Sequence, residues 1–154
     1  MPEESLLTDE VRALVGKETT LGKVQVTPKL YRRAVEVYTG GIPDSAPAAG
    51  EAVPGYVIAA LDSEAGSPAL PALLPNTLLI SNEWQFERPL RMGEELEAVY
   101  SVAGITERFG GRFGYSIDFR TQITFNDATG APVARSGNTM TQYSTAGARD
   151  GGEA

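Results

Sequence analysis

Read for hydrophobic and polar positions alone, this 154-residue chain changes period near its middle. In Thr27 to Gly41, residues Leu30, Tyr31, Ala34, Val35, Val37 and Tyr38 fall within an arc of roughly 160° at 100° per residue, with Lys29, Arg32, Arg33 and Glu36 on the remaining stripe. Thr27 supplies an N-cap, Pro28 suits the first helical position, and Gly40 or Gly41 can take the left-handed stop. A helix over 28–39 with so broad an apolar arc is mostly buried, so it is expected to be the element around which one antiparallel sheet wraps. Upstream, Thr8 caps a short helix with Val11, Leu14 and Val15 on one face and Gly16 at its end. Lys17 to Val26, rich in Thr and Val, reads as the first strand. Thr39 to Asn76 is dense in Gly, Pro and Ala, with VPGYVIAAL (53–61) and PALPALL (68–74) as apolar islands between breakers. A loop of that length is uncommon in a compact domain unless it carries function.

From Thr77 the period becomes two. Ile80, Asn82, Trp84 and Phe86 are expected on one face of a half-buried strand that Pro89 closes, and Ser81, Glu83, Gln85 and Glu87 on the other. After the RMGEE turn, Leu96, Ala98, Tyr100 and Val102 carry the next apolar face, with Gly104 marking a bulge. Gly110-Gly111 turns the chain into its clearest alternation, Phe113, Tyr115, Ile117, Phe119, Ile123 and Phe125 against polar neighbours. NDATG leads into a last strand, Pro132 to Ser144. Trp84, Phe86, Ile117 and Phe119 are the expected contacts to the helix. Residues 1–144 read as a single domain, and 145–154 as a disordered tail too polar and Gly-rich to pack.

Composition narrows the chemistry. A hydrophobic content of 42% suffices for one sizeable core. The net charge of −7 argues against nucleic acid or an anionic membrane as partner, because phosphate binding needs a basic footprint. With no Cys there are no disulfides, thiolate zinc sites or Cys nucleophile, and with no His the usual side chain for acid–base work near neutrality is missing. The acidic start MPEESLLTDE lacks the order of a signal peptide, and no apolar run approaches a membrane span. The expectation is a soluble, cytoplasmic protein without cofactor or metal.

Particular phrases carry a resemblance. LVGKETTLGKVQVTPKLYRRAVEVYTGG (14–41), VPGYVIAAL (53–61), EWQFERPLRMGEELEAVYSVAGITERFGG (83–111) and DATGAPVARS (127–136) resemble the N-terminal-type domain of MaoC-like acyl-CoA or acyl-carrier dehydratases, over most of residues 5–144. The phrase F-x-R-P-L-x-x-G-E-x-L, Phe86 to Leu96, is its most specific part. The fold so implied is α+β, the hot-dog, in which an antiparallel sheet wraps a central helix.

In catalytic relatives a Gly-Asp-x-Asn-Pro-x-His phrase follows the helix, and its Asp and His handle proton and water on an α,β-enoyl thioester. Here the words are TGGIPDSAP, with Gly41 where the Asp would stand, and the position before EWQFERPL that often holds a His reads Ser81-Asn82. The resemblance therefore implies a non-catalytic subunit that pairs with a His-containing MaoC-like subunit, as a hetero-oligomer, to shape the channel of an enoyl-thioester hydratase or dehydratase. Val53 to Leu61 would wall the acyl chain, with Pro54, Gly55 and Tyr56 its bend and Asn76 and Asn82 polar contacts to substrate. Simple core filling is the competing account of that segment. Two other classes stay open: a homodimeric hot-dog acyl-CoA thioesterase using Glu36 or Asp44 as base, and a non-enzymatic module for acyl-CoA or another hydrophobic ligand. Asp44 also suits a turn, and Glu36 a solvated stripe.

Overall fold

The computed structural model describes residues 4–112 and 114–145. Its elements run α1 (Asp9–Arg12), β1 (Glu18–Gln25), α2 (Pro28–Thr39), α3 (Val57–Ala65), β2 (Asn76–Phe86), β3 (Glu95–Arg108), β4 (Ser116–Asn126) and β5 (Pro132–Tyr143). Among the described residues the five strands form one antiparallel sheet in the order β1-β3-β4-β5-β2. Phe113 and residues 146–154, most of the expected tail, lie outside the described residues.

The caps are where local chemistry puts them. Thr27 Oγ1 accepts from the Leu30 amide at 3.2 Å, Pro28 opens α2, and Gly40 closes it at φ 74°, a conformation that suits glycine. Thr8 caps α1 in the same way, through the Val11 amide. The period-two patterns hold in the middle of the sheet, where Leu96, Ala98, Tyr100 and Val102 of β3 and Ile117, Phe119, Ile123 and Phe125 of β4 are buried. The β3 irregularity falls between Val102 and Gly104, beside the expected bulge.

The wrapped helix, however, is α3 and not α2. Val57, Ile58 and Leu61 are each 0% exposed and join the main core with Val26, Leu90, Leu96 and Phe125. α2 packs chiefly on α3, burying Leu30, Ala34 and Val35, while Val37 is 76% and Tyr38 48% exposed. The expectation failed because Gly, Pro and Ala around VPGYVIAAL read as breakers. Pro54 and Gly55 instead precede the helix and supply the carbonyls that its first amides, Val57 and Ile58, reach at 3.1 Å. The apolar first turns of α3, VIAAL, are what the sheet buries while Ser63 and Glu64 stay exposed, whereas a strongly two-faced helix such as α2 keeps one side toward the surface.

The second correction concerns β2. Ile117 and Phe119 are fully buried as expected, but Trp84 is only partly buried and Phe86 is 40% exposed. β2 is the last strand of the sheet, paired with β5 alone, so its inward face runs past the end of α3. A bulge between Leu79 and Ser81 also takes Ile80 out of the alternation. Leu79, Asn82, Trp84 and Phe86 oppose Met140, Asn138, Ser136 and Ala134, and these share the inward face.

Candidate functional site

Three elements converge where α3 begins. Gly55 lies over the Phe86 ring so closely that a Cβ there would sit 3.2 Å from Phe86 Cζ and 3.3 Å from Cε2. Tyr56 stacks on Tyr38 of α2 with ring centroids 5.2 Å apart and planes 12° from parallel. Tyr38 in turn meets Trp84 of β2 edge-on at 5.8 Å and 68°. Such pairs add modestly to the energy of their burial and fix ring orientation. The Trp84 Nε1 is buried with no hydrogen-bond partner, an uncommon state for an indole N–H. Tyr38, Tyr56, Trp84 and Phe86 thus make an aromatic wall, with exposed Pro54 and Gly55 at its rim. It can seat an apolar or flat group.

The same strand carries the other notable surface. Leu78, Leu79 and Ile80 are each about half-exposed, consecutive, and on an edge whose outer backbone groups pair with no strand among the described residues. Natural edge strands are usually protected by charge, Pro or a cover, and this stretch has no such residue.

The remaining expected site residues do not form one cluster. Asn82 opposes Asn138 and is exposed, next to the wall. Asn76 opens β2 opposite Tyr143, six positions and about 20 Å of strand from Asn82. Glu36 accepts from Arg32 at 3.2 Å in an exposed i, i+4 pair, and Asp44 is exposed in the loop after α2.

The specific phrase FERPLRMGEEL has a structural explanation. Arg88 donates two bonds to Glu94, Nη2 to Oε1 at 2.8 Å and Nη1 to Oε2 at 3.1 Å, and Glu94 also accepts from the Arg91 amide. Gly93 takes φ 85° and its amide reaches Val26 O at 2.7 Å, while the Val26 amide reaches Glu94 O at 2.9 Å. The motif therefore clamps the β2–β3 turn to the end of β1. It fixes the turn from which β2, with Trp84 and Phe86, leads into β3.

Sequence reasoning missed Asp62. This α3 carboxylate accepts from Ser136 Oγ of β5, a side chain with no exposure, and burial pushes its pKa up while that hydrogen bond pulls it down. It borders a cavity of about 300 Å³ between α3, the 67–72 segment and the inner face of β3, β4 and β5. The signal was Asp62 four residues after Ile58 and one after Leu61, on the face that a helix through VIAALDSEA would bury. Among the described residues no group of three or more His, Cys, Asp or Glu is placed to hold a metal ion, and no helix is long and apolar enough to cross a membrane.

No protein-family model and no curated protein matches the chain. Solved structures do. A chain of the C-terminally truncated HadBC (3R-hydroxyacyl-ACP dehydratase) complex of Mycobacterium tuberculosis matches at 14% identity and a TM-score of 0.59, over 88% of this chain and 99% of that one. The MaoC-like dehydratase from Rhodospirillum rubrum matches at 18% and 0.58, over 84% and 92%. A chain of the ChsH1-ChsH2 complex of M. tuberculosis matches at 12% and 0.59, over 87% of each. The likeness is one of architecture: the chain has an α+β hot-dog fold, an antiparallel sheet packed against helices.

Proposed function

We propose that this chain is the non-catalytic, channel-forming subunit of a cytoplasmic enoyl-thioester hydratase or dehydratase, with its Asp and His supplied by a partner MaoC-like subunit. The observation that carries the reading is the free edge of β2, where exposed Leu78, Leu79 and Ile80 share a strand with the aromatic wall of Trp84 and Phe86. A partner strand added there would pair the open backbone, bury the three aliphatic side chains, and bring a second domain up to Tyr38, Tyr56 and the Pro54-Gly55 rim. The channel would then have one wall from each chain. Two of the similar structures are themselves complexes, one described as a 3R-hydroxyacyl-ACP dehydratase, in keeping with such a division of labour.

The chain's own chemistry fits a supporting part. It contains no His, Gly41 occupies the place of the family's Asp, and Glu36 and Asp44 stand in solvent, which also disfavours a thioesterase built on either. The test is the hydration of a trans-2-enoyl-CoA, followed by loss of enoyl absorbance, with the purified chain alone and mixed with a His-containing MaoC-like subunit. Background rates alone and turnover in the mixture are expected. Full turnover by the chain alone would refute the reading. Thiol release from a saturated acyl-CoA that vanished on Glu36→Ala or Asp44→Ala would replace it with the thioesterase.

A further inference from the structure

The Asp62 cavity lies farther along α3 than the Gly55–Phe86 contact and borders the aromatic wall where Ser136 stands across from Trp84, and it is built rather than accidental. Its cover is pinned by one side chain: Gln142, 3% exposed, accepts from the Leu73 and Leu74 amides at 3.0 and 3.2 Å and donates to Pro71 O at 2.8 Å. That holds Leu70 and Ala72 over the inner face of the sheet. A partly covered space beneath a helix on the inner face of a sheet is ordinarily lined by hydrocarbon. Here Asp62, Thr77, Thr121, Ser136 and Asn138 line it, beside Ile123 and Met140.

The hydrogen-bonding inventory is unbalanced toward acceptors. The Asn138 Oδ1 is buried without a partner, and Asp62 receives one donor, the Ser136 hydroxyl. No Lys or Arg is among the lining residues, so the Asp62 charge has no counter-ion there. Asp62 is partly buried, and partial desolvation without a counter-ion opposes its ionisation. Burial is indeed the leading influence on this carboxyl, ahead of the Ser136 bond. The missing complement is a donor-rich, positively charged group. A hydrocarbon would leave both acceptors dry, and an anion would meet the carboxylate.

We infer that the cavity beneath α3 is a binding site for a compact primary ammonium, whose N–H groups are received by Asp62 and Asn138 and whose short alkyl part lies against Ile123 and Met140. A volume of about 300 Å³ is at the lower end of small-molecule sites, which fits a ligand of a few carbons. Ser136 is a positioning residue: its bond to one carboxylate oxygen leaves the other for the ligand. The site is independent of the channel reading.

The test is a titration of the full chain with n-butylammonium, n-butanol and n-butyrate, read by amide chemical shifts at physiological salt to screen surface carboxylates. Saturable shifts around Asp62, Ser136 and Asn138 with butylammonium are expected, butanol binding about tenfold more weakly and butyrate not at all. Asp62→Asn, which is isosteric and can still accept from Ser136, is expected to weaken butylammonium about tenfold. Asn138→Ala weakens it independently, so the proposal stays testable if one variant folds poorly. Equal binding of butanol, an unchanged response in Asp62→Asn, or no saturation at all would overturn it. So would thiol release from an acyl-CoA that is lost in Asp62→Asn, since the carboxylate would then be a general base.

Discussion

Replacing Leu61 by Ala and, separately, Val37 by Ala tests which helix the sheet encloses. Leu61 of α3 is 0% exposed, and the change deletes three carbons from the middle of the core. At about 0.8 kcal/mol per buried methylene the transfer loss is roughly 2.4 kcal/mol, and the residual cavity adds about 1–2 kcal/mol, giving about 3–4.5 kcal/mol in all. For a chain of this size that lowers Tm by roughly 6–15 °C. Val37 of α2 is 76% exposed, so its truncation removes little burial, and the higher helix propensity of Ala offsets part of that. A change within about 0.5 kcal/mol is expected. Urea unfolding can be followed by the fluorescence of the single tryptophan, Trp84, which touches Tyr38. Repeating the curves at two protein concentrations separates folding from assembly, since a subunit seated over Val37 would make its effect depend on concentration. A Val37→Ala cost as large as that of Leu61→Ala, at both concentrations, would show that α2 is the enclosed helix and refute the packing described. So would a Leu61→Ala cost below about 1 kcal/mol.

Other outcomes follow from single contacts. Gly55→Val sets a branched side chain against the Phe86 ring, where even a Cβ is tight, so it is expected to change acyl-chain preference and raise KM in a mixed complex without blocking assembly. Kinetics on short and long enoyl thioesters would check it. Glu94→Gln breaks the fork with Arg88 and is expected to cost about 1–2 kcal/mol in urea unfolding, because two charge-assisted bonds at the β2–β3 turn are weakened. Asp62→Asn has a sign set by linkage. Burial raises the native pKa, so the native state holds the proton to higher pH than the unfolded chain, and stability from this group falls as pH rises through the ordinary carboxylate range to the native value. The variant should therefore be more stable than the parent at neutral pH, with the gap closing on acidification. A gap that widens toward acid would contradict the assignment.

Much of the architecture was legible in the sequence because it depends on neighbours along the chain. Caps are made by residues two or three positions apart, as at Thr27 and Leu30, and an Asx turn such as Asp127 receiving the Thr129 and Ala131 amides is written in NDATG. The alternation in β3 and β4 was equally readable, since both lie in the interior of the sheet and each has one face on the core. Within the aromatic wall, Gly55 and Tyr56 belong to a phrase singled out in the sequence as a channel wall, while Tyr38 and Trp84 were seen only as core residues.

What only the tertiary structure decided is where each apolar face goes. An amphipathic pattern records that a face is covered but not what covers it, so α2, the more strongly patterned helix, was taken for the enclosed one. β2 looked half-buried by its alternation, yet its position at the end of the strand order leaves it beyond α3, with Phe86 and Leu79 in the open. Asp62 and Ser136 stand 74 positions apart, and they meet because α3 lies against β5, which no local period records. Burial, and with it the pKa of Asp62 and the exposure of the β2 edge, is a sum over contacts between distant segments. Only the folded chain supplies that sum.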